Sequence, residues 1–228
     1  MPRIIYKDKN AVVIEKPVGM PSQSDPSGDL DAMTATSDEL KALGEDGSLW
    51  LVHRLDRTVG GVLLFARSKP MAARLSKAVA DGALEKEYLA VVEGECTSGE
   101  MRDYLFKDSG QGKAFVVKGE RRGAKLAVLG YRALSSVKTD GGVRTLVRIK
   151  LMTGRFHQIR AQFSSRGLPL VGDGKYGSRD KGRRVPALFA RSLLVDGVNR
   201  GEPVSAMPDA LEYPWSLFDL KEFEDDKK

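Results

Sequence analysis

The fold class is decided at residues 143–160, VRTLVRIKLMTGRFHQIR, where an alternating segment runs directly into a segment with helical spacing. From Val143 to Leu151, aliphatic or β-branched residues at every second position alternate with mostly basic ones, which predicts a half-buried strand. Farther along, Ile159 and Phe163 fall on one helical face, which predicts a helix over about 156–166. This segment indicates a fold that contains both sheet and helix.

Short strands predominate in the rest of the chain. The predicted strands cover Ile4–Tyr6, Ala11–Glu15, Trp50–Val52, Val62–Ala66, Tyr88–Val92 and Lys125–Leu134. One further helix is expected between the N-cap Ser68 and the terminating Gly82. Strands with occasional single helices, rather than a βαβ alternation, predict an α+β fold with a mainly antiparallel mixed sheet flanked by a few helices.

Composition is that of an ordinary globular protein, with 41% hydrophobic and 30% charged residues among 228. We expect a single catalytic domain over residues 1–228, with a core at about 4–208 and a charged, disordered tail at 219–228. The polar segment 24–47 is predicted to be an acidic loop insertion, either a lid or a disordered stretch. No apolar run is long enough for a membrane span, and a single cysteine, Cys96, suits a reducing compartment. The protein is expected to be cytoplasmic.

The net charge of +6 is distributed unevenly. Acidic residues concentrate in the 24–47 segment and at the C-terminus. Basic residues dominate between Arg102 and Lys125 and again between Lys175 and Arg191. Each basic cluster could be a solvated loop, but two clusters in a chain whose acids lie elsewhere favour a phosphate-backbone partner.

Residues with catalytic potential lie in three short polar segments beside apolar strands. The common motifs are absent: no His, Cys or acid group has metal-ligand spacing, and there is no Walker loop and no G-x-S-x-G elbow. The three segments are His53-Arg54-Leu55-Asp56-Arg57-Thr58-Val59-Gly60-Gly61, then Glu85-Lys86-Glu87-Tyr88-Leu89-Ala90-Val91-Val92-Glu93-Gly94, then Met152-Thr153-Gly154-Arg155-Phe156-His157-Gln158-Ile159-Arg160.

Each segment alone has a plain structural alternative. Asp56 between Arg54 and Arg57 is expected to stay ionised, as a nucleophile must, but the same residues could form an ordinary turn. Tyr88 fits a core aromatic in a strand. The residues around Arg155 could form an anion site at a helix N-terminus or the basic face of a surface helix.

Together the segments H-R-L-D-R, K-x-Y-L-A and T-G-R-x-H-Q-I-R resemble the RluA-type pseudouridine synthases, in the same order and at similar spacing. Two further segments agree with this resemblance. They are Lys16-Pro17-Val18-Gly19, similar to the family's KPxG segment, and Gly172-Asp173-Gly174-Lys175-Tyr176-Gly177, similar to its GDxxYG segment. The resemblance extends from about Ile4 to Pro208.

The resemblance implies isomerisation of uridine to pseudouridine in an rRNA or tRNA stem-loop bound in a cleft, without cofactor or metal. Asp56 matches the nucleophile, which would attack C6 of the base or C1′ of the ribose. Tyr88 matches the tyrosine that packs against the base and could remove the C5 proton. Arg155 matches the basic partner of the aspartate, and Arg54 an arginine that helps to hold the flipped-out nucleotide. The further substrate-binding candidates are His53, Arg57, Lys86, His157, Gln158 and Arg160.

The chain departs from the family pattern at Thr58-Val59-Gly60-Gly61, where many members have Asp-Thr-Ser-Gly after the nucleophile and the equivalent of Arg57. This exchange removes polar groups near the nucleophile. No S4 RNA-binding domain is expected before Ile4, and a monomer is expected. Two alternatives stay open: a binding module with the same fold but no catalysis, and an unrelated hydrolase that uses paired carboxylates. The identity of the RNA and of its target uridine is not encoded in any segment that we recognise.

Overall fold

A computed structural model describes residues 1–223. Its contacts group into two compact units: unit 1 comprises Met1–Lys86 and Ala190–Ala206, and unit 2 comprises Glu87–Phe189 and the chain from Met207 onwards. The single catalytic domain expected from the sequence stays a prediction. Within residues 1–223, no helix combines the length and the apolar character that a bilayer span requires.

Eleven strands and three α-helices are present in the described residues, in agreement with the predicted α+β class. The strands are β1 (Arg3–Lys7), β2 (Ala11–Lys16), β3 (Trp50–Leu51), β4 (Gly60–Ala66), β5 (Glu85–Glu93), β6 (Gly99–Asp108), β7 (Lys113–Val117), β8 (Ala124–Thr139), β9 (Gly142–Leu151), β10 (Leu188–Leu194) and β11 (Val204–Ser205). The α-helices are α1 (Ala32–Ala42), α2 (Lys69–Ala80) and α3 (Gln158–Ser164). Short 3₁₀ helices cover Gly174–Tyr176, Asn199–Gly201, Trp215–Leu217 and Leu220–Phe223.

In unit 1, the strands β2 and β4 form the centre of the core. They pair antiparallel from Ala11 opposite Ala66 to Lys16 opposite Gly61, and β4 is buried along its whole length. Such a strand shows a continuous apolar run instead of an alternating one. Gly61 has a φ of +112°, and a Cβ there would lie 2.2 Å from the Ala190 carbonyl oxygen, so this position requires glycine.

The prediction for the acidic segment 24–47 was wrong for its middle part, which is helix α1. Asp31 caps this helix by accepting a hydrogen bond from the Thr34 amide nitrogen at 3.0 Å. The buried face consists of Ala32, Ala35, Thr36 and Leu40. Because small residues form most of that face, the segment lacks a strong apolar periodicity. By contrast, α2 begins after the N-cap Ser68, as predicted.

Unit 2 contains a five-stranded antiparallel arrangement in the order β5, β9, β8, β6, β7. The strands β6 and β7 form a hairpin inside the basic cluster 102–125. A solvated loop is therefore the wrong interpretation for Arg102, Lys107, Lys113 and Lys125, which lie on paired strands, where the alternation of side chains fixes the direction in which each one points. Lys118, Arg121 and Arg122 lie in the connection between β7 and β8.

Two further predictions for unit 2 need correction. The strand 143–151 is confirmed as β9, but Arg144, expected on the solvent face, is only 5% exposed and its Nη2 donates to Asp180 Oδ2 at 2.8 Å. The buried carboxylate of Asp180 compensates the arginine charge there. The charged tail was expected to be disordered from residue 219, yet Leu220 is buried at 3% exposure in a 3₁₀ helix. The rest of that prediction, for residues 224–228, lies outside the described residues.

Candidate functional site

The Asp56 segment forms a turn between β3 and β4 in unit 1. The turn is closed by the Val59 amide nitrogen, which donates to the Asp56 carbonyl oxygen at 2.9 Å. It is attached to the neighbouring loop through Ser22, whose Oγ donates to the Leu55 carbonyl at 2.8 Å and accepts from the Leu55 amide at 3.0 Å. The backbone on the N-terminal side of Asp56 is therefore fixed by a buried, reciprocal pair of hydrogen bonds.

A buried lysine that the sequence analysis did not identify as a site residue supports this turn. Lys16 is 0% exposed, and its Nζ donates to the carbonyl oxygens of Pro17 at 2.9 Å, Met20 at 2.7 Å and Arg57 at 3.4 Å. Burial lowers the Lys16 pKa to about 8, and the negative charge of Asp56 opposes that shift. Lys16 thus brings a positive charge near the carboxylate and links three backbone segments. A lysine at the end of the apolar strand AVVIEK was the available signal.

The Arg57 side chain does not act as the local charge partner predicted for Asp56. Its Nε donates to the Gly19 carbonyl oxygen at 2.9 Å, its Nη1 donates to Ser27 Oγ at 3.1 Å, and its Nη2 pairs with Asp29. The guanidinium therefore binds the acidic segment instead of the carboxylate one residue before it. Arg54, the other flanking arginine, is exposed.

His53 and Lys86 lie close enough in unit 1 to influence each other electrostatically. The Leu64 amide nitrogen donates to His53 Nε2 at 3.2 Å. Burial and the nearby Lys86 charge lower the His53 pKa to about 3, so the imidazole is neutral at pH 7 and accepts through Nε2. Burial also lowers the pKa of Lys86. His53 is thus tied to β4 by its ring nitrogen.

Replacing Lys16 with Met tests how much this lysine stabilises the turn. A hydrogen bond from a charged donor contributes about 1.5–3 kcal/mol, while the lowered Lys16 pKa means that burying the charge offsets part of the gain. We therefore expect Lys16→Met to lower the free energy of unfolding by about 1–3 kcal/mol in urea titrations followed by circular dichroism. Lys9→Met, the same change at an exposed position of the β1–β2 turn, is the control. Equal stability of the two variants would contradict the anchoring role.

In unit 2, Tyr88 lies in β5 and is 7% exposed. It pairs with Ile149 of β9, so its backbone is fixed in the antiparallel ladder. Both the core-aromatic and the site interpretations required a strand here, and the strand is present. The burial of the ring agrees with a core aromatic, and the role of Tyr88 at the site stays a prediction.

The segment that carries Arg155 is organised around the Gln158 side chain. Gln158 Oε1 accepts from the Arg155 amide nitrogen at 3.0 Å and from Thr153 Oγ1 at 2.8 Å, and its Nε2 donates to the Val128 carbonyl at 3.1 Å. Gln158 is 3% exposed, so its buried amide holds the loop in place through these hydrogen bonds. Arg155 is exposed, and its Nε donates to the Leu126 carbonyl at 2.8 Å. The helix was predicted from about 156 and begins at Gln158.

His157 precedes α3 in the left-handed region, with a φ of 51°. Its ring stacks on Phe156 with the centroids 3.8 Å apart, and its Nδ1 lies 3.0 Å from the Tyr176 hydroxyl. That hydroxyl also accepts from the Ala114 amide nitrogen at 2.7 Å. Burial and neighbouring cations lower the His157 pKa to about 3. The neutral ring can therefore accept a hydrogen bond from the Tyr176 hydroxyl at Nδ1.

A buried ion pair joins the T-G-R-x-H-Q-I-R segment to the G-D-G-K-Y-G segment. Arg160 Nε donates to Asp173 Oδ2 at 2.7 Å and Nη2 to Oδ1 at 2.8 Å, and the two residues are 5% and 1% exposed. The guanidinium also lies 4.9 Å from the centroid of the Tyr176 ring. Together with the contact between His157 and Tyr176, this pair explains why the two segments occur together: each supplies the partners of the other.

The comparisons with known proteins give the family. Residues 10–165, more than half of the chain, match the family model described as RNA pseudouridylate synthase. An uncharacterized RNA pseudouridine synthase of Zymomonas mobilis is 35% identical over 210 residues, covering 90% of this chain and 91% of that protein. The chain therefore belongs to the RNA pseudouridylate synthase family, whose members isomerise uridine in RNA.

The chain is also similar to pseudouridine synthases that are named for tRNA and to others that are named for the large ribosomal subunit. A tRNA pseudouridine synthase C of Haemophilus ducreyi is 33% identical, covering 80% of this chain and 76% of that protein. A ribosomal large subunit pseudouridine synthase C of Rickettsia bellii is 34% identical over 77% of this chain, which spans only 56% of that protein. The solved structure of human RNA pseudouridylate synthase domain containing 4 superposes with a TM-score of 0.74 at 26% identity, covering 91% of this chain and 89% of that one.

Proposed function

We propose that this chain converts a specific uridine of a structured rRNA or tRNA into pseudouridine, with Asp56 as the nucleophile. Family membership supports the reaction class. The observation that carries the assignment to Asp56 is the construction of its turn: buried Lys16 and buried Ser22 fix the backbone on both sides of this one carboxylate. A surface turn without a catalytic role has no need of a buried ammonium.

The proposed reaction needs no external reactant. The Asp56 carboxylate attacks C6 of the base or C1′ of the ribose, and the bond between N1 and C1′ breaks. The base turns, C5 bonds to C1′, and the bond between Asp56 and the substrate breaks, which restores the carboxylate. The proton on C5 leaves and N1 gains a proton, so that substrate and product have the same atoms. Tyr88 is proposed to pack against the base and to remove the C5 proton. The uridine must leave its stack, because its reacting atoms are out of reach inside a helix.

The side chains around these residues are proposed to divide into two groups. Lys16, His53, Gln158 and Arg160 use their polar atoms on protein partners, which favours a positioning role over direct contact with RNA. Arg54, Arg57, Lys86 and His157 stay proposed contacts to RNA, with Arg57 exchanging Asp29 for a phosphate. Arg155, whose Nε donates to the Leu126 carbonyl oxygen, stays a proposed catalytic residue. We further propose that the protein acts as a monomer in the cytoplasm.

The decisive test is a map of pseudouridine in total RNA from cells with and without the gene. Chemical derivatisation followed by primer extension should lose one or a few stops in the deletion strain. The purified chain should restore those stops when it is added to the RNA from that strain. If the two maps are identical and the purified chain binds the RNA without modifying it, the chain is a binding module and the proposed function is wrong.

A further inference from the structure

A pocket of about 180 Å³ opens on unit 2, between the β6–β7 hairpin and the loop before α3. Its floor includes Leu105 and Ala114, whose side chains are 4% and 3% exposed. Its walls include Lys107, Lys125 and Arg155, all exposed. The volume is several times the ~30 Å³ that one water molecule takes up in the liquid.

The strand register explains how the lysines reach one opening. Leu105 of β6 pairs with Lys125 of β8, and Lys107 of β6 pairs with Ala114 of β7. Residues at i and i+2, and residues directly opposite on neighbouring strands, share one face of a sheet. Both lysines and the apolar floor are therefore on the same face.

The charge of the lining is one-sided. All the residues that line the pocket belong to the described part of the chain. Three of them are cations, and the lining contains no acidic residue. The positive charge extends beyond the pocket, because Lys175, which is outside the lining, lowers the pKa of His157 together with Lys107 of the lining. A concave surface with one sign of charge attracts the opposite sign, and here a phosphate is the group that fits.

We propose that this pocket binds one unstacked nucleotide of the RNA, distinct from the target uridine, with its phosphate on Lys107 and Lys125 and its base on the apolar floor. The proposal rests on the proposed function for the identity of the RNA. A bare phosphate would use only the cationic rim and leave the floor formed by Leu105 and Ala114 empty, whereas a base has a flat apolar surface for it.

The Phe156 ring at the edge of the pocket has a different role from the aromatic platforms of single-strand binding proteins. His157 stacks on this ring, and the Lys107 ammonium lies 4.7 Å from its centroid. The ring is thus already engaged and orients Lys107 through a cation–π contact. The base is therefore expected against the aliphatic floor and not against Phe156.

Two kinds of variant of the full chain separate the phosphate contact from the base contact. The double variant Lys107→Ala/Lys125→Ala removes charge at exposed positions. Ala114→Leu fills the floor without changing charge, and Ala114→Val is the milder version if the leucine variant does not fold. The probe is a fluorescein-labelled single-stranded RNA that contains the target sequence, with inorganic phosphate as competitor. The charge control is Arg102→Ala, because Arg102 is three residues from Leu105 on β6 and points to the opposite face.

We expect the lysine double variant to weaken RNA binding at least tenfold and to reduce the salt slope by about 0.7, the value for one phosphate contact to a single strand. Ala114→Leu should weaken binding at least fivefold with an unchanged salt slope, and Arg102→Ala should stay within about twofold of wild type. Wild-type affinity in Ala114→Leu or Ala114→Val, whichever folds, would reduce the site to a phosphate contact and overturn the proposal. Wild-type affinity in the lysine variant would overturn it as well.

A kinetic readout separates failure of the pocket from failure of the proposed function. With the mapped RNA, the pocket variants should raise KM by the same factors and leave kcat within about threefold, as expected for uniform binding. Modification by wild type with unchanged KM in every variant rejects the pocket and leaves the proposed function intact. Absence of modification by wild type rejects the proposed function, and the binding measurements alone then decide on the pocket.

Discussion

Asp56→Asn is expected to abolish pseudouridine formation while the RNA still binds. The change keeps the size of the side chain and removes the nucleophilic oxygen charge, and loss of an essential nucleophile lowers kcat by roughly 10⁴- to 10⁶-fold in well-studied enzymes. Single-turnover assays on the mapped RNA measure the loss, and fluorescence anisotropy measures Kd. We expect Kd to change by less than about threefold, because phosphate contacts supply most of the affinity.

The pKa of the neighbouring Lys16 determines the pH at which wild type and Asp56→Asn should be compared. The negative charge of Asp56 raises the Lys16 pKa, which is about 8 in the wild type, so loss of that charge must lower it further. Measurements well below the wild-type Lys16 pKa of about 8 favour the protonated lysine in both proteins, and they should be repeated at two pH values to check that the turn is comparable. Asp38→Asn is the matched control, since Asp38 is an exposed carboxylate on α1 paired with Lys41 at 3.2 Å. Appreciable modification by Asp56→Asn would reject Asp56 as the nucleophile.

Local patterns in the sequence predicted the elements whose stability is local. The β1–β2 hairpin, the strand β9 and the helix α2 with its Ser68 cap were predictable, because periodicity and capping are properties of adjacent residues. Helix α1 was missed because its buried face consists mostly of Ala and Thr. The β6–β7 hairpin was missed because a segment rich in lysine and arginine resembles a solvated loop until a partner strand is known.

The chemistry of the site was predictable only in part for a similar reason. The resemblance named Asp56, Tyr88 and Arg155, but a segment alone does not state the partner of each side chain. Arg57, adjacent to Asp56 in sequence, turns to Asp29, whereas Lys16, forty residues earlier, supplies the nearby charge. Gln158 and Arg160 are buried and hydrogen-bond to protein groups, and their predicted contact with the substrate stays a prediction. Such pairings depend on long-range packing, which single-sequence patterns do not contain.

The buried pair between Arg160 and Asp173 leads to the largest expected effect on stability. Arg160→Met keeps most of the side-chain length but leaves the Asp173 carboxylate, 1% exposed, without its two guanidinium hydrogen bonds. Removing one member of a buried ion pair costs about 3–5 kcal/mol, because the remaining charge is neither solvated nor compensated. We expect a loss of that size in the free energy of unfolding, measured in urea by circular dichroism at pH 7.

The double variant Arg160→Met/Asp173→Leu distinguishes an uncompensated charge from a simple loss of packing. Replacing both members of a buried ion pair with apolar residues is often nearly neutral, so the double variant should be more stable than Arg160→Met alone. Arg166→Met, which breaks the partly exposed ion pair with Asp103, is the control and should lose no more than about 1 kcal/mol. A double variant no more stable than Arg160→Met would mean that shape, and not charge, holds the two segments together. Because Tyr176 lies between Arg160 and His157, the same variants should also disturb the loop that presents Arg155.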